Sequence, residues 1–167
     1  LADRGQAIFF KPRLKRSGLS NLQPQLIAHE NDIKVKRLAG KIDRVLVDAP
    51  CSGLGTLRRN PDLKFRQSAQ SVTELTQKQN SILAAASKLL KKGGRLVYAT
   101  CSLLHEENGA IVEAFLAAHP DFKLLPAGEV LVQQKVPLEM GEYLQLLPQK
   151  HGTDGFFAAV MERNSPV

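Results

Sequence analysis

Short apolar runs that stop abruptly at polar residues set the pattern of this chain. Ile42 to Val47 ends in Asp48-Ala49-Pro50-Cys51-Ser52-Gly53-Leu54-Gly55-Thr56, and Arg95 to Ala99 ends in Thr100-Cys101-Ser102. Runs of this length bounded by proline, glycine and small polar residues predict buried strands opening into loops. Between them, apolar residues at Val72, Leu75, Ile82, Leu83, Ala86, Leu89 and Leu90 predict an amphipathic helix over 71–90, capped by Ser71 or Thr73 and ended by Gly93-Gly94. A second helix is expected from His105 to Ala118, with Ser102 or a neighbour as its cap and Glu106-Glu107 at its positive end.

The remaining segments are shorter. Gly5 to Phe10 reads as a strand running into a basic helix, Lys11 to Gly18, and Leu22 to Ala28 reads as an edge strand that tolerates Pro24. Ile33 to Leu38 is expected as a short basic helix or loop, and Asn60-Pro61-Asp62 as a turn. Phe122 to Leu125, Tyr143 to Leu147 and Phe156 to Glu162 are expected strands, with an irregular excursion over 126–141 and a hairpin turn at Gly152-Thr153-Asp154-Gly155. Strand and helix alternate and strands then follow one another. That order predicts an α/β fold with a mainly parallel, doubly wound sheet and a carboxyl-terminal antiparallel hairpin. Ligands of such sheets sit at the carboxyl ends of the strands, where Asp32, Asp48, Cys51 and Cys101 are expected.

Composition narrows the class. With 167 residues, 43% of them hydrophobic, one ordinary core is the expectation. No apolar run reaches the roughly 18 to 20 residues that span a bilayer, and no leader pattern is evident, so a cytoplasmic protein is expected. A net charge of +7 and cation clusters, among them Arg58, Arg59, Lys64 and Arg66 just past the Cys51 loop, suit a polyanion. Two cysteines without a CxxC pair make neither a disulfide scaffold nor a zinc signature, so no metal is expected. A resting Cys51–Cys101 disulfide is not expected in a reducing cytosol. Two thiols placed alike on neighbouring strands, with Asp48 three residues before one of them, instead suggest covalent chemistry. Cys101, just ahead of an expected helix start, is placed to have its pKa lowered by free backbone amides.

These residues resemble the NOL1/NOP2/Sun family of RNA cytosine-5 methyltransferases. The resemblance rests on Asp48 to Thr56, on Tyr98 to Ser102 with Glu106-Glu107-Asn108, and on Asp154-Gly155-Phe156-Phe157, and it runs from about Lys11 to Arg163. It implies a Rossmann-like methyltransferase domain over 1–167, S-adenosylmethionine as methyl donor and RNA, above all ribosomal RNA, as substrate. It implies that Cys101 attacks carbon 6 of the cytosine, that Cys51 assists the later elimination, and that Asp48 contacts the base beside the donor. Asp32 and Pro50 would line the donor site, and Arg58, Arg59, Lys64 and Arg66 would hold the RNA backbone.

The amino-terminal part departs from the family pattern. The first strand, the glycine-rich donor loop and the ribose-binding acid are missing, which implies a fragment of a longer enzyme in preference to a degenerate relative. Two other readings stay open at this point. One is a non-catalytic RNA-binding module, and the other is a DNA cytosine methyltransferase whose attacking thiol is Cys51.

Overall fold

The structure, a computed structural model, describes residues 12–164. The strand expected over 5–10 and the position of Lys11 lie outside them. Helix α1 (12–17) ends at Gly18, as the basic sequence and the glycine predict. Residues 22–28 form no strand. Backbone groups at the end of that segment are taken by local side chains instead: the Ala28 N–H donates to Asp32 Oδ2 at 3.0 Å, and the Leu26 carbonyl accepts from Lys34 Nζ at 3.1 Å. With Pro24 unable to donate, little is left for a ladder.

Helix α2 (Ile33–Lys36) leads into β1 (Ile42–Asp48), α3 (Leu63–Arg66) and α4 (Ala69–Ser87). Strand β2 (Leu90–Thr100), helix α5 (Gly109–Ala118), β3 (Phe122–Leu125), α6 (Ala127–Gln133), β4 (Leu144–Leu146), α7 (Pro148–His151) and β5 (Phe156–Arg163) complete the order. The five described strands form one sheet, β1-β2-β5-β3, with β4 also paired to β5. β1 and β2 are parallel, and β5 is antiparallel to β2, β3 and β4. Four strands therefore share one direction and β5 alone opposes them. Because β5 lies between β2 and β3, one pairing is parallel and three are antiparallel, a mixed α/β sheet closed by the antiparallel strand that the pattern predicts. The excursion over 126–141 is less irregular than expected, because it contains α6.

Two helix boundaries differ from the sequence reading. α4 begins earlier, because Ser68 rather than Ser71 or Thr73 is the cap: its side chain accepts from the Ser71 N–H while the Ser71 hydroxyl accepts from the Ser68 N–H. It also stops at Ser87, since Leu90 already belongs to β2, and Gly93-Gly94 lies inside the strand. There the register slips between Ile42, opposite Leu90, and Arg44, opposite Arg95. Gly93 takes φ +73°, a left-handed conformation that a glycine enters freely.

The core is built on the face of β1 and β2 that α4 and α5 cover. Leu83, Leu90, Leu96, Tyr98, Val112, Ala159 and Met161 are fully buried there, joined by Val47, Phe115 and Phe157. Tyr98 donates its hydroxyl to the Glu107 carbonyl at 2.7 Å, which satisfies the polar tip of a large buried ring. This packing fixes the carboxyl ends of β1 and β2 side by side, with Asp48 opposite Ala99 in register.

Candidate active site

Both cysteine loops leave the sheet at neighbouring points, and their sulfurs lie 3.5 Å apart. Both thiols are free and half-buried. The two are not equivalent. The hydrogen bond between the two thiols holds Cys101 below the usual thiol range, to about 7, against the opposing effect of burial. The same hydrogen bond, with burial added, pushes Cys51 far above that range. Of the two, Cys101 is the thiol whose ionisation is favoured. The sequence places Cys101 ahead of a helix amino terminus, but α5 starts only at Gly109, beyond a single 3-10 turn (His105–Glu107). The neighbour that favours its thiolate is the other thiol.

The loops are clamped together by backbone. The Gly55 N–H donates to the Cys101 carbonyl at 2.9 Å, and the Gly155 N–H donates to the Gly55 carbonyl at 2.8 Å. A methyl group on Gly55 would overlap the Gly155 carbonyl and come within 2.7 Å of the Cys101 carbonyl. Only glycine permits this approach. The Asp154-Gly155 turn thereby belongs to the same constellation as the two thiol loops, which explains its place among the motifs.

Beneath the thiols lies a buried polar cluster that the sequence reading left unassigned. Glu107 is completely buried and its carboxyl group receives four hydrogen bonds: from the Ser52 N–H at 2.8 Å, the Ser52 hydroxyl at 2.6 Å, Gln79 Nε2 at 3.0 Å and the Ser102 hydroxyl. Ser52 follows Cys51 and Ser102 follows Cys101, so a single carboxyl group ties both loops from below. Gln79 Nε2 also donates to the Pro50 carbonyl at 2.9 Å. Asn108 links Thr100 and Ser102 through bonds of 2.5 and 3.0 Å. To aim Glu107 and Asn108 inward, the chain interrupts the expected continuous helix at Asn108 (φ −115°, ψ −101°). One signal was available in the sequence: Gln79 falls four residues after Leu75 on the apolar stripe of α4.

Of the expected site residues, Asp48, Pro50, Cys51 and Cys101 are gathered at this edge. Asp48 is exposed, and Pro50 is half-buried. Asp32 has a local duty as the cap of α2, accepting from the Lys34 N–H at 2.9 Å and from the Ala28 N–H, and these bonds lower its pKa. Arg58, Arg59, Lys64 and Arg66 are all exposed beyond the Cys51 loop. Two of them are ion-paired, Arg59 with Asp154 and Arg66 with Asp62 at 2.5 Å. Among the described residues no group of three or more His, Cys, Asp or Glu is placed to hold a metal ion.

A model of the family described as 16S rRNA methyltransferase RsmB/F matches residues 10–162. The chain belongs to this family. It is 44% identical over 124 residues to the probable ribosomal RNA small subunit methyltransferase B of Bacillus subtilis, covering 74% of this chain and 28% of that protein. To the ribosomal RNA small subunit methyltransferase B of Sodalis glossinidius it is 45% identical over 119 residues, 71% of this chain and 25% of the relative. The chain thus spans about a quarter of the length of these relatives. The crystal structure of PH0851 matches 96% of this chain and 35% of its own, with TM-score 0.85 and 34% identity. NSun6 from Pyrococcus horikoshii with SFG matches 98% of this chain and 40% of its own, with TM-score 0.77 and 28% identity. These likenesses establish the Rossmann-like methyltransferase fold.

The unequal thiols give a direct expectation for reactivity. Alkylation of Cys101 by iodoacetamide should rise as pH increases through about 7, because the thiolate population grows there. Cys51→Ala removes the donating thiol, so the midpoint should move up toward the ordinary thiol value of about 8.5. An unchanged midpoint, read by mass spectrometry of the Cys101 peptide, would contradict the hydrogen-bond account.

Proposed function

We propose that this chain is the catalytic part of an S-adenosylmethionine-dependent enzyme that methylates carbon 5 of a cytosine in ribosomal RNA in the cytoplasm. The observation that carries the reading is the pair of unequal thiols, 3.5 Å apart at the carboxyl ends of two parallel strands. Family membership supports ribosomal RNA as the substrate class. The donor is supported by the NSun6 neighbour, whose ligand SFG is an S-adenosylmethionine analogue.

Cys101, as thiolate, would form a carbon–sulfur bond at carbon 6 of an unpaired cytosine. Its electron pair moves the ring's electron density to carbon 5, which becomes nucleophilic. The base must leave its stack to reach the sulfur. Asp48, exposed at the end of β1, would hold the base by a hydrogen bond. In the closing elimination the carbon 5 proton would pass to water and its bonding pair would re-form the carbon 5–carbon 6 double bond. The carbon–sulfur bond would break to return the Cys101 thiolate, which Cys51 would assist by donating its S–H in a hydrogen bond to the departing sulfur. The arrangement restores the thiolate beside its donating partner.

The chemistry of two carboxylates and a proline suits the polar and apolar parts of the methyl donor. Asp48 offers an exposed carboxylate beside Pro50, and Asp32 offers a carboxylate held in place by two backbone N–H bonds with lone pairs to spare. S-Adenosylmethionine supplies there an electrophilic methyl group. Asp32, Asp48 and Pro50 would position it, with no metal required of these side chains. Arg58, Arg59, Lys64 and Arg66 would hold the RNA phosphates, and their contribution would fall with salt. Incubating the complete protein with labelled S-adenosylmethionine and unmodified ribosomal RNA should place label on cytosine carbon 5. RNA that is bound but never labelled would leave only a binding module.

A further inference from the structure

The segment after the Cys51 loop carries a feature that its cations do not explain. Phe65, in α3, leaves 82% of its surface in solvent, and among the described residues it is the one exposed phenylalanine or tyrosine. Leaving a phenyl ring in water forgoes the gain that burial gives, so a solvent-facing ring beside a site invites a partner. The ring is not on a loose tether. Gln67 Nε2, one residue past α3, donates to the Ser52 carbonyl at 2.9 Å, and Leu63 packs toward Gly53, where a Cβ would lie 3.4 Å from Leu63 Cδ1. Both anchors are in the Cys51 loop itself. α3 therefore presents Phe65 from a base fastened to the site.

The surroundings select the partner's chemistry. Residues 58–66 hold four cations, Arg58, Arg59, Lys64 and Arg66, against the single carboxylate of Asp62. Lys64 Nζ lies 4.8 Å from the Phe65 ring centroid. An apolar protein surface would have to desolvate these charges. A single-stranded polyanion with flat bases would not: phosphates meet the cations and a base meets the ring.

We propose that Phe65 is a stacking platform for an unpaired base of the RNA next to the target cytosine, so that one base lies on the ring while its neighbour enters the thiol site. The proposal rests on the RNA-methyltransferase reading for the identity of the strand. It adds a contact made by an aromatic face and not by charge.

Stacking and charge separate experimentally. Binding of a short single-stranded ribosomal RNA oligonucleotide to the complete protein is measured from low to moderate salt for wild type, Phe65→Ala, Phe65→Leu, Phe65→Tyr and Lys64→Ala. Phe65→Ala should bind about 10-fold more weakly at every salt concentration, with the salt slope unchanged. Phe65→Tyr should restore affinity and Phe65→Leu should not. Lys64→Ala should instead lower the slope, by about 0.7 for one phosphate contact on a single strand. A 5-iodouridine placed beside the target should crosslink to Phe65 on irradiation. Unchanged affinity in Phe65→Ala, or rescue by leucine as complete as by tyrosine, would overturn the proposal; the latter would mark an apolar contact that needs no aromatic face. Methyl transfer is assayed in parallel. Methylation with Phe65-independent binding overturns stacking alone, whereas Phe65-dependent binding without methylation overturns the enzyme reading alone.

Discussion

Replacing Cys51 with alanine is expected to convert the enzyme from one that turns over into one that stays attached to its RNA. Under the proposed function Cys101 would still attack while the thiol that would assist elimination is gone, so the carbon–sulfur bond should persist and a protein–RNA band should survive denaturing electrophoresis. Replacing Cys101 with alanine should abolish that band and lower methylation by a factor on the order of 10³ or more, as for loss of a nucleophile elsewhere. The double variant should form no band. The expected asymmetry rests on the contact between the two sulfurs, which lowers Cys101 to about 7 and raises Cys51. The pH dependence is signed accordingly. In the Cys51→Ala protein, adduct formation should need a higher pH than thiolate formation in the wild type, because the donor that stabilised the thiolate has been removed.

The second large effect concerns Glu107, which touches neither thiol. Glu107→Ala would leave the Ser52 N–H, the Ser52 and Ser102 hydroxyls and one donor of Gln79 without their shared acceptor in a fully buried place. Unsatisfied buried donors cost about 1 to 3 kcal/mol each, and water entering the vacated space recovers part of that. A loss of about 3 kcal/mol is expected from the chemical-denaturation midpoint. Glu107→Gln should lose less, since the amide oxygen still accepts while its NH₂ faces donors. A structural role alone would stop at stability. Because Glu107 holds the residue after each cysteine, the Gln variant should also shift the pH midpoint of Cys101 alkylation while the protein remains folded. Unchanged stability in Glu107→Ala would contradict the network, and an unshifted alkylation midpoint in Glu107→Gln would sever it from the thiols.

Why some of this was legible in the sequence and some was not has physical causes. The two strands feeding the site announce themselves, because a β-branched or apolar run that ends at Asp-Ala-Pro-Cys or Thr-Cys-Ser has few other ways to fold. The antiparallel closing strand was legible for the same reason. Leu22 to Ala28 reads as a strand by composition, yet strands exist only where a partner's ladder is available. Here Asp32 and Lys34 take the backbone groups first. Gly93-Gly94 reads as a helix stop, and becomes a bulge because the sheet's register with β1 outweighs the local signal. The Glu107 cluster was hidden for a different reason: its members come from four separate segments, around Ser52, Gln79, Thr100 to Ser102 and Glu107 to Asn108, which only the tertiary fold brings together. Asp32 shows the reverse case. Its identity as a carboxylate near a strand end suggested a ligand contact, and the structure adds a capping role that composition cannot reveal.

The proposed reaction depends on a division of labour between the two sulfurs. The most direct measurement is mass spectrometry of the nuclease- and protease-digested adduct from the complete Cys51→Ala protein, compared with Cys101→Ala treated identically. A cytidine nucleotide is expected on the peptide containing Cys101 in the first protein, and no adduct in the second. A nucleotide on Cys51 in the Cys101→Ala protein, with none on Cys101 in the other, would contradict it and return the attack to the loop that begins at Asp48.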